Sequence, residues 1–210
     1  DLPWRNHAAQ YCPQCGLPSP LHRVSASDDI CSHCQSAPPA FCHTVAAFDY
    51  EFPLRQLIHR YKYGGELSLA RFFAHALAQA IAQQAHFNVS PNTVLLPLPL
   101  HAQRLRERGF NQAMEIARPL SKLLGLPCRP HLCQRHRPTV PQAGLARKDR
   151  LTNLRHAFSC AHELQGQSVL LLDDVMTTGS SVQECARTLL LHGASRVDVV
   201  VVARALPPGA

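Results

Sequence analysis

Apolar residues recur in this chain with two different periods, and the changes of period mark its elements. Val45 to Tyr50 reads as a strand, and Leu54, Leu57, Ile58 and Tyr61 follow at helical spacing up to Gly64-Gly65. Leu67, Ala70, Ala74, Leu77 and Ile81 line one face of a second helix. Thr93 to Leu98 is a short, unbroken apolar run, the signature of a strand covered on both sides. Ala113, Ile116, Ala117, Leu120, Leu123 and Leu124 form a further helix face, with Gly125 placed to cap it. Ser168 to Leu172 reads as another buried strand. A helix through Val182, Ala186 and Leu189 then stops at Gly193, and Val197 to Ala203 is again a strand. Strands alternating with helices predict an α/β domain around a parallel sheet. Ligands of such sheets sit beyond the carboxyl ends of the strands, so those ends are where binding residues are expected.

The first 42 residues do not follow this rhythm: they hold six of the 17 prolines and five of the nine cysteines. The text changes near Ala40 to Thr44, dividing the chain into a small module, residues 1–43, and a domain over residues 44–206. Cys12-Pro-Gln-Cys15 and Cys31-Ser-His-Cys34 are two Cys-x-x-Cys knuckles separated by 15 residues. This is the spacing of a zinc ribbon, in which each turn offers two thiolates to one tetrahedral ion. The module is too short and too rich in proline to bury a core, so metal binding would supply its folding energy. The competing reading is disulfides, which belong to oxidising compartments. Four thiolates leave no open position, so the ion is expected to be structural rather than catalytic. His22, His33 and His43 could substitute as ligands, although a solvated loop is the simpler place for each. Cys42, Cys128, Cys133, Cys160 and Cys185 show no pairing pattern and read as small buried hydrophobes.

Composition narrows the class. Of 210 residues, 46% are apolar and 17% charged, which excludes intrinsic disorder. No apolar stretch approaches the roughly 18 residues that would span a bilayer. The start of the chain has neither the basic end nor the apolar run of a signal peptide, so a cytoplasmic location is expected. The chain opens at Asp1 in mid-pattern without a Met, and residues are expected upstream. The formal net charge is +7, concentrated between Arg104 and Arg155, where ten Arg and two Lys face Glu107, Glu115 and Asp149. Arg suits the forked recognition of phosphate. Nucleic acid and small polyphosphates are both drawn to such a segment, and charge alone does not choose between them.

One strand end carries the chemistry. Val169-Leu-Leu-Leu172 runs into Asp173-Asp174, then Val175-Met176, then Thr177-Thr178-Gly179-Ser180-Ser181 at the start of a helix. Adjacent carboxylates at a strand tip can accept hydrogen bonds from vicinal hydroxyls, as on a ribose. A small, hydroxyl-bearing loop lets backbone N–H groups approach an anion where the helix dipole favours it. A sugar phosphate gripped at both ends is the ligand class implied. Neither G-x-G-x-x-G nor G-x-x-x-x-G-K-[ST] occurs, which sets aside dinucleotide and P-loop readings.

The string from Val169 to Ser181 resembles the signature by which type I phosphoribosyltransferases bind phosphoribosyl pyrophosphate (PRPP). Pro97-Leu-Pro-Leu-His101, Arg104-Leu-Arg-Glu-Arg-Gly-Phe-Asn-Gln112, Gln142 to Arg150, Asn153 to Phe158 and the Cys12 to Gly16 head narrow the resemblance to the ComF/GntX family of competence-associated proteins. Members often carry another cysteine pair upstream, and Asp1-Leu-Pro-Trp4 resembles the text just after it. The resemblance implies that Asp173 and Asp174 hold the ribose hydroxyls and that Thr177, Thr178, Gly179, Ser180 and Ser181 cradle the 5′-phosphate. It places Pro97 to His101, with Pro99 and His101, in the pyrophosphate loop, followed by Arg104, Arg108, Asn111 and Gln112. Residues 135–150 correspond to the flexible loop of related transferases. Lys62, in a Tyr-Lys-Tyr-Gly context the family tends to share, receives no role. His101 is open to two readings, a base or a loop-ordering residue. Cys12, Cys15, Cys31 and Cys34 are the implied zinc ligands, and Mg²⁺ is implied with PRPP. Two functions remain: a Mg²⁺-dependent phosphoribosyltransferase with an unidentified acceptor, or a factor that handles single-stranded DNA with the competence machinery and uses PRPP as a ligand or regulator. An aromatic share of 6% weighs mildly against DNA, because single strands stack on aromatic rings.

Overall fold

The computed structural model describes residues 1–5, 11–18, 30–84, 87, 89–136, 157–160 and 163–206. The module contributes α1 (Ser32–Ser36). The body begins with β1 (Thr44–Asp49), α2 (Leu54–Tyr63), α3 (Leu69–Ala82) and β2 (Thr93–Pro97). It continues through α4 (Ala102–Arg108), α5 (Gln112–Leu124) and the short strands β3 (Cys133–Arg135) and β4 (Phe158–Cys160). The chain then closes with β5 (Ser168–Met176), α6 (Ser180–Leu191) and β6 (Arg196–Arg204).

The main sheet has the order β1-β6-β5-β2 and is parallel throughout, the architecture the alternation of periods predicts. Side chains alternate along a strand, so neighbouring residues serve opposite faces. Leu170, Leu172, Val200 and Val202 share a core with Ile58, Phe73, Leu77, Ile116 and Leu120 of α2, α3 and α5. Leu171, Val199 and Val201 share the other core with Val182, Cys185 and Leu189 of α6. Burial on both faces is why the strands read as unbroken apolar runs. Both outer strands are covered: Trp4 bridges antiparallel to Phe48 of β1, and Cys128 bridges parallel to Leu95 of β2.

The structure departs from the sequence pattern at three places. The apolar run of β5 ends at Leu172, but the strand continues to Met176 because β6 runs beside it as far as Arg204. Asp173 and Asp174 therefore lie inside the strand. The helix α4 has no buried residue, so it carries no apolar stripe to betray it. The antiparallel pair β3–β4 joins segments of three residues each, too short for a period to show. Among the cysteines, Cys133 and Cys185 are buried and Cys128 and Cys160 partly so, whereas Cys42 is exposed. Cys42 lies just before β1, with its N–H already donating to the Val197 carbonyl of β6 but its side chain exposed, which corrects its reading as a buried hydrophobe. Among the described residues no helix is long and apolar enough to cross a membrane.

Candidate functional site

The parallel strands end on one edge of the sheet, and the site is built there. Asp173 and Asp174 are consecutive residues near the end of β5, and their carboxyl groups act directly on each other. Asp174 points with Leu172 toward α2. It is buried, and its Oδ2 lies 2.7 Å from Lys62 Nζ, the ammonium approaching off the hydrogen-bonding direction of that oxygen. Asp174 Oδ1 accepts from the Val175 N–H at 2.8 Å. Lys62, to which the sequence assigns no role, is thus the cation paired with one carboxylate. Its neighbour Tyr61 anchors α2 by donating its hydroxyl to the Gln112 carbonyl at 2.7 Å.

Asp173 keeps partial solvent contact near the carboxyl end of β5, and its Oδ1 accepts from the Asp174 N–H at 2.8 Å. Burial, and then the adjacent Asp174 carboxylate, push its carboxyl well above the ordinary range against the opposing pull of Lys62. The Arg135 guanidinium lies within electrostatic range of both Asp173 and Arg104, and its Cζ sits over the Phe158 ring, 5.4 Å from the centroid. Arg135 occupies β3 and is partly buried, which corrects its placement in a flexible loop. Arg137, Arg147 and Arg150, expected in that loop, lie outside the described residues.

Beyond β5 the chain makes the small turn the motif predicts. Gly179 has φ +76°, and a Cβ there would meet Met176 Cε at 2.8 Å. The left-handed φ favours glycine, and any Cβ would also have to displace the end of the Met176 side chain. The Thr178 and Ser180 hydroxyls bond each other at 2.8 Å. The backbone N–H groups of Thr177, Thr178 and Gly179 find no acceptor among the described residues. Gly179→Ala is expected to cost about 1–2 kcal/mol from the left-handed backbone alone, and more if Met176 must move. Urea denaturation would measure it, and an unchanged midpoint would show that the turn can relax.

The segment after β2 is ordered from its two ends. The Leu98 N–H donates to the Leu172 carbonyl at 2.8 Å, extending the β2–β5 pairing, and Pro99 is buried behind it. His101 caps α4 by accepting from the Gln103 N–H on Nδ1 at 3.2 Å. Asn111 caps α5 with Oδ1 and donates Nδ2 to the Leu98 carbonyl at 3.1 Å, which ties α5 to this loop. Arg104 lies within electrostatic range of Arg135. Arg108 instead turns to Tyr63, donating to its hydroxyl at 3.1 Å with the guanidinium 5.1 Å from the ring centroid.

A second cluster lies in the N-terminal module. The sulfurs of Cys12, Cys15, Cys31 and Cys34 all lie within 4.8 Å of one another, and this is the group of possible metal ligands found among the described residues. Cys15 and Cys31 Sγ are 3.7 Å apart. A tetrahedron with metal–sulfur bonds of about 2.3 Å has its sulfurs about 3.8 Å apart, so the donor set fits a metal such as zinc. The Cys31 N–H donates to Cys12 Sγ at 3.4 Å. Sulfur and backbone donors hold the Cys12 thiol down, while burial and the Cys12 charge hold the Cys34 thiol up. His33 and His43 stand outside the group; His43 instead lies 3.3 Å from Asp198. His22 is outside the described residues.

Arg204, at the end of β6, is a buried cation that the sequence pattern does not single out. It donates Nε to the Cys15 carbonyl at 2.9 Å and Nη1 to the carbonyls of Met176 (2.8 Å), Ala205 (2.8 Å) and Thr177. Burial pulls its guanidinium down to about 10, still charged at neutral pH.

Known proteins resemble the chain over nearly its whole length. The phosphoribosyl transferase domain family matches residues 108–207. A DNA utilization protein YhgH of Salmonella typhi is 34% identical over 93% of this chain and 84% of its own length. Competence protein F of Haemophilus influenzae is 34% identical over 93% of this chain and 85% of its own. Competence protein ComFC of Bacillus subtilis is 25% identical over 87% of this chain and 72% of its own. Relatedness of that extent, borne on a parallel type I phosphoribosyltransferase sheet with a four-cysteine head, places the chain in the ComF family.

Proposed function

We propose that this protein binds PRPP with Mg²⁺ at the carboxyl end of β5, and that it serves in the handling of incoming DNA. The observation that carries the first part is the pairing of a half-open carboxylate, Asp173, with a turn whose amides at Thr177, Thr178 and Gly179 lack acceptors among the described residues. The names of the relatives, competence protein and DNA utilization protein, support the second. Asp173 would accept from the ribose hydroxyls, and Asp174 would share that task while held by Lys62. Residues 177–181 would take the 5′-phosphate on backbone N–H groups and hydroxyls. Arg104 and Arg135 would face the diphosphate, for which guanidinium is the matching fork. Pro99 and His101 shape the adjoining loop, and Arg108 stands at its rim. Mg²⁺ would come with the substrate, and the chemistry it would supply is neutralising charge on the diphosphate. Zinc held by Cys12, Cys15, Cys31 and Cys34 is the structural ion of residues 1–43, and the reducing cytoplasm would keep those thiols available to it.

Transfer to an acceptor would need the C1–O bond to break with charge building on the departing diphosphate, and Arg104 and Arg135 would stabilise that charge. A non-catalytic reading also has support. The Tyr63 ring is 64% exposed beside the site, with Arg108 against its face. A base can stack on such a ring while arginine meets the backbone phosphates. Titration calorimetry with Mg²⁺–PRPP is expected to show one site per chain, and absence of binding heat and of competition by pyrophosphate would overturn the proposal. Pyrophosphate release in the presence of single-stranded DNA or another acceptor would select transfer. Salt-sensitive DNA binding without release would select the second reading.

A further inference from the structure

We infer that Arg204 couples the four-cysteine cluster to the phosphate loop, so that metal occupancy in the N-terminal module sets the affinity of the anion site. The inference rests on reading residues 177–181 as the phosphate loop. One side chain makes the connection: Nε donates to the Cys15 carbonyl, and Nη1 donates to the carbonyls of Met176 and Thr177. Cys15 is itself one of the four clustered thiols, so a metal there fixes the position of its carbonyl.

The effect on the loop follows from peptide geometry. In a trans peptide the C=O of one residue and the N–H of the next point in opposite directions. Drawing the carbonyls of Met176 and Thr177 toward one guanidinium turns the N–H groups of Thr177 and Thr178 the other way. These are among the amides with no acceptor in the described residues. Successive N–H groups aimed to one side make an anion-binding concavity. Arg204 is thus a positioning residue: it holds the donors without touching the ligand.

The opposite end of this link is held as well. The Thr44 N–H and hydroxyl donate to the Pro13 and Gln14 carbonyls at 2.9 and 2.7 Å, and the Tyr11 hydroxyl donates to Asp49 at 3.1 Å. The first knuckle therefore rests on β1, and the metal closes it onto the second knuckle. With the metal gone, the Cys15 carbonyl keeps the anchorage of Pro13 and Gln14 on Thr44 but loses the restraint through its own thiolate, so one acceptor of Arg204 is held less firmly. Coupling of this kind is reciprocal, so an anion at the loop should also hold the metal more tightly.

Two measurements on the full chain test the link. Hydrogen exchange of residues 177–182 is followed without ligand, in zinc-loaded and chelator-stripped protein. Stripping is expected to speed exchange there about tenfold, within the usual range of coupling between sites, and to leave β2 unchanged. In Arg204→Lys, which keeps the charge and loses the fork, the loop should exchange at the faster rate whether or not metal is present. A purely structural role for Arg204 would not remove that metal dependence. The stripping comparison needs no variant and stands alone if Arg204→Lys fails to fold. Calorimetry then compares Mg²⁺–PRPP binding in the two metal states, with an expected loss of about tenfold on stripping. Loop exchange indifferent to metal overturns the coupling, even if PRPP binds. Metal-dependent exchange without any PRPP binding upholds the coupling and overturns the ligand assignment instead.

Discussion

Asp173→Asn is expected to raise stability at neutral pH while weakening PRPP binding about a hundredfold, and Asp174→Asn to lower stability sharply. The two residues are neighbours with the same chemistry, but they occupy different electrostatic positions. The Asp173 carboxyl is raised by burial and by Asp174, so its ionised form is disfavoured in the folded chain. Between the unfolded value of about 3.9 and the raised folded value, the folded chain binds more protons than the unfolded one. Stability is therefore lost as pH rises through that window. Asn carries no charge to desolvate and keeps an oxygen for the Asp174 N–H. The gain should be present at pH 7.5 and vanish toward pH 4. Binding of Mg²⁺–PRPP should fall about a hundredfold, from lost charged hydrogen bonds.

Asp174→Asn leaves the Lys62 ammonium, 2.7 Å away and largely buried, without its anion. Orphaning one member of a buried pair costs about 3 kcal/mol at the low end, and the low end applies because Asp173 also lies near Lys62. For a chain of this size that lowers the melting temperature by roughly 10 °C. Urea and thermal unfolding of both variants across pH 4 to 8 decide the matter. Asp173→Asn less stable than the parent at pH 7.5, or Asp174→Asn unchanged, would refute this division of roles.

Stripping metal from the cysteine cluster should loosen residues 11–18 and 30–36 and leave the sheet folded. The two knuckles share a small apolar group of their own, Cys12, Cys15 and Cys34 with Leu17 and Ile30 packed against it. The two large cores on either face of the sheet contain none of these residues. A structural zinc supplies roughly 10–16 kcal/mol to such a module, which that small group cannot replace. Elemental analysis should find one zinc per chain, and Cys12→Ser should weaken its binding by at least about a hundredfold. Protein purified without chelator that carries no zinc would contradict this, as would loss of the whole thermal transition on stripping.

Helices α3 and α5 and the four strands of the main sheet were legible because each buries a face, and a buried face must repeat at the period of its backbone. The turn at Gly179 was legible for a similar reason: a left-handed φ and close approach to Met176 admit little else. The cysteine knuckles carry their own geometry in their spacing. Element α4 buries nothing, and so it left no trace in the apolar pattern. Strand β5 outruns its apolar residues because backbone hydrogen bonds to β6 do not depend on side-chain type.

The acid pair could be located from local text alone, since strand, carboxylates and turn follow one another along the chain. Its partners could not. Lys62 meets Asp174 from α2, Arg135 on β3 lies within electrostatic range of Asp173, and Arg204 joins Cys15 to Met176 and Thr177. Periodicity records which face of an element is buried, and spacing records what one turn can hold. Which charge meets which carboxylate depends on how distant elements pack: α2 brings Lys62 onto the buried Asp174, while Asp173 beside it keeps partial contact with solvent.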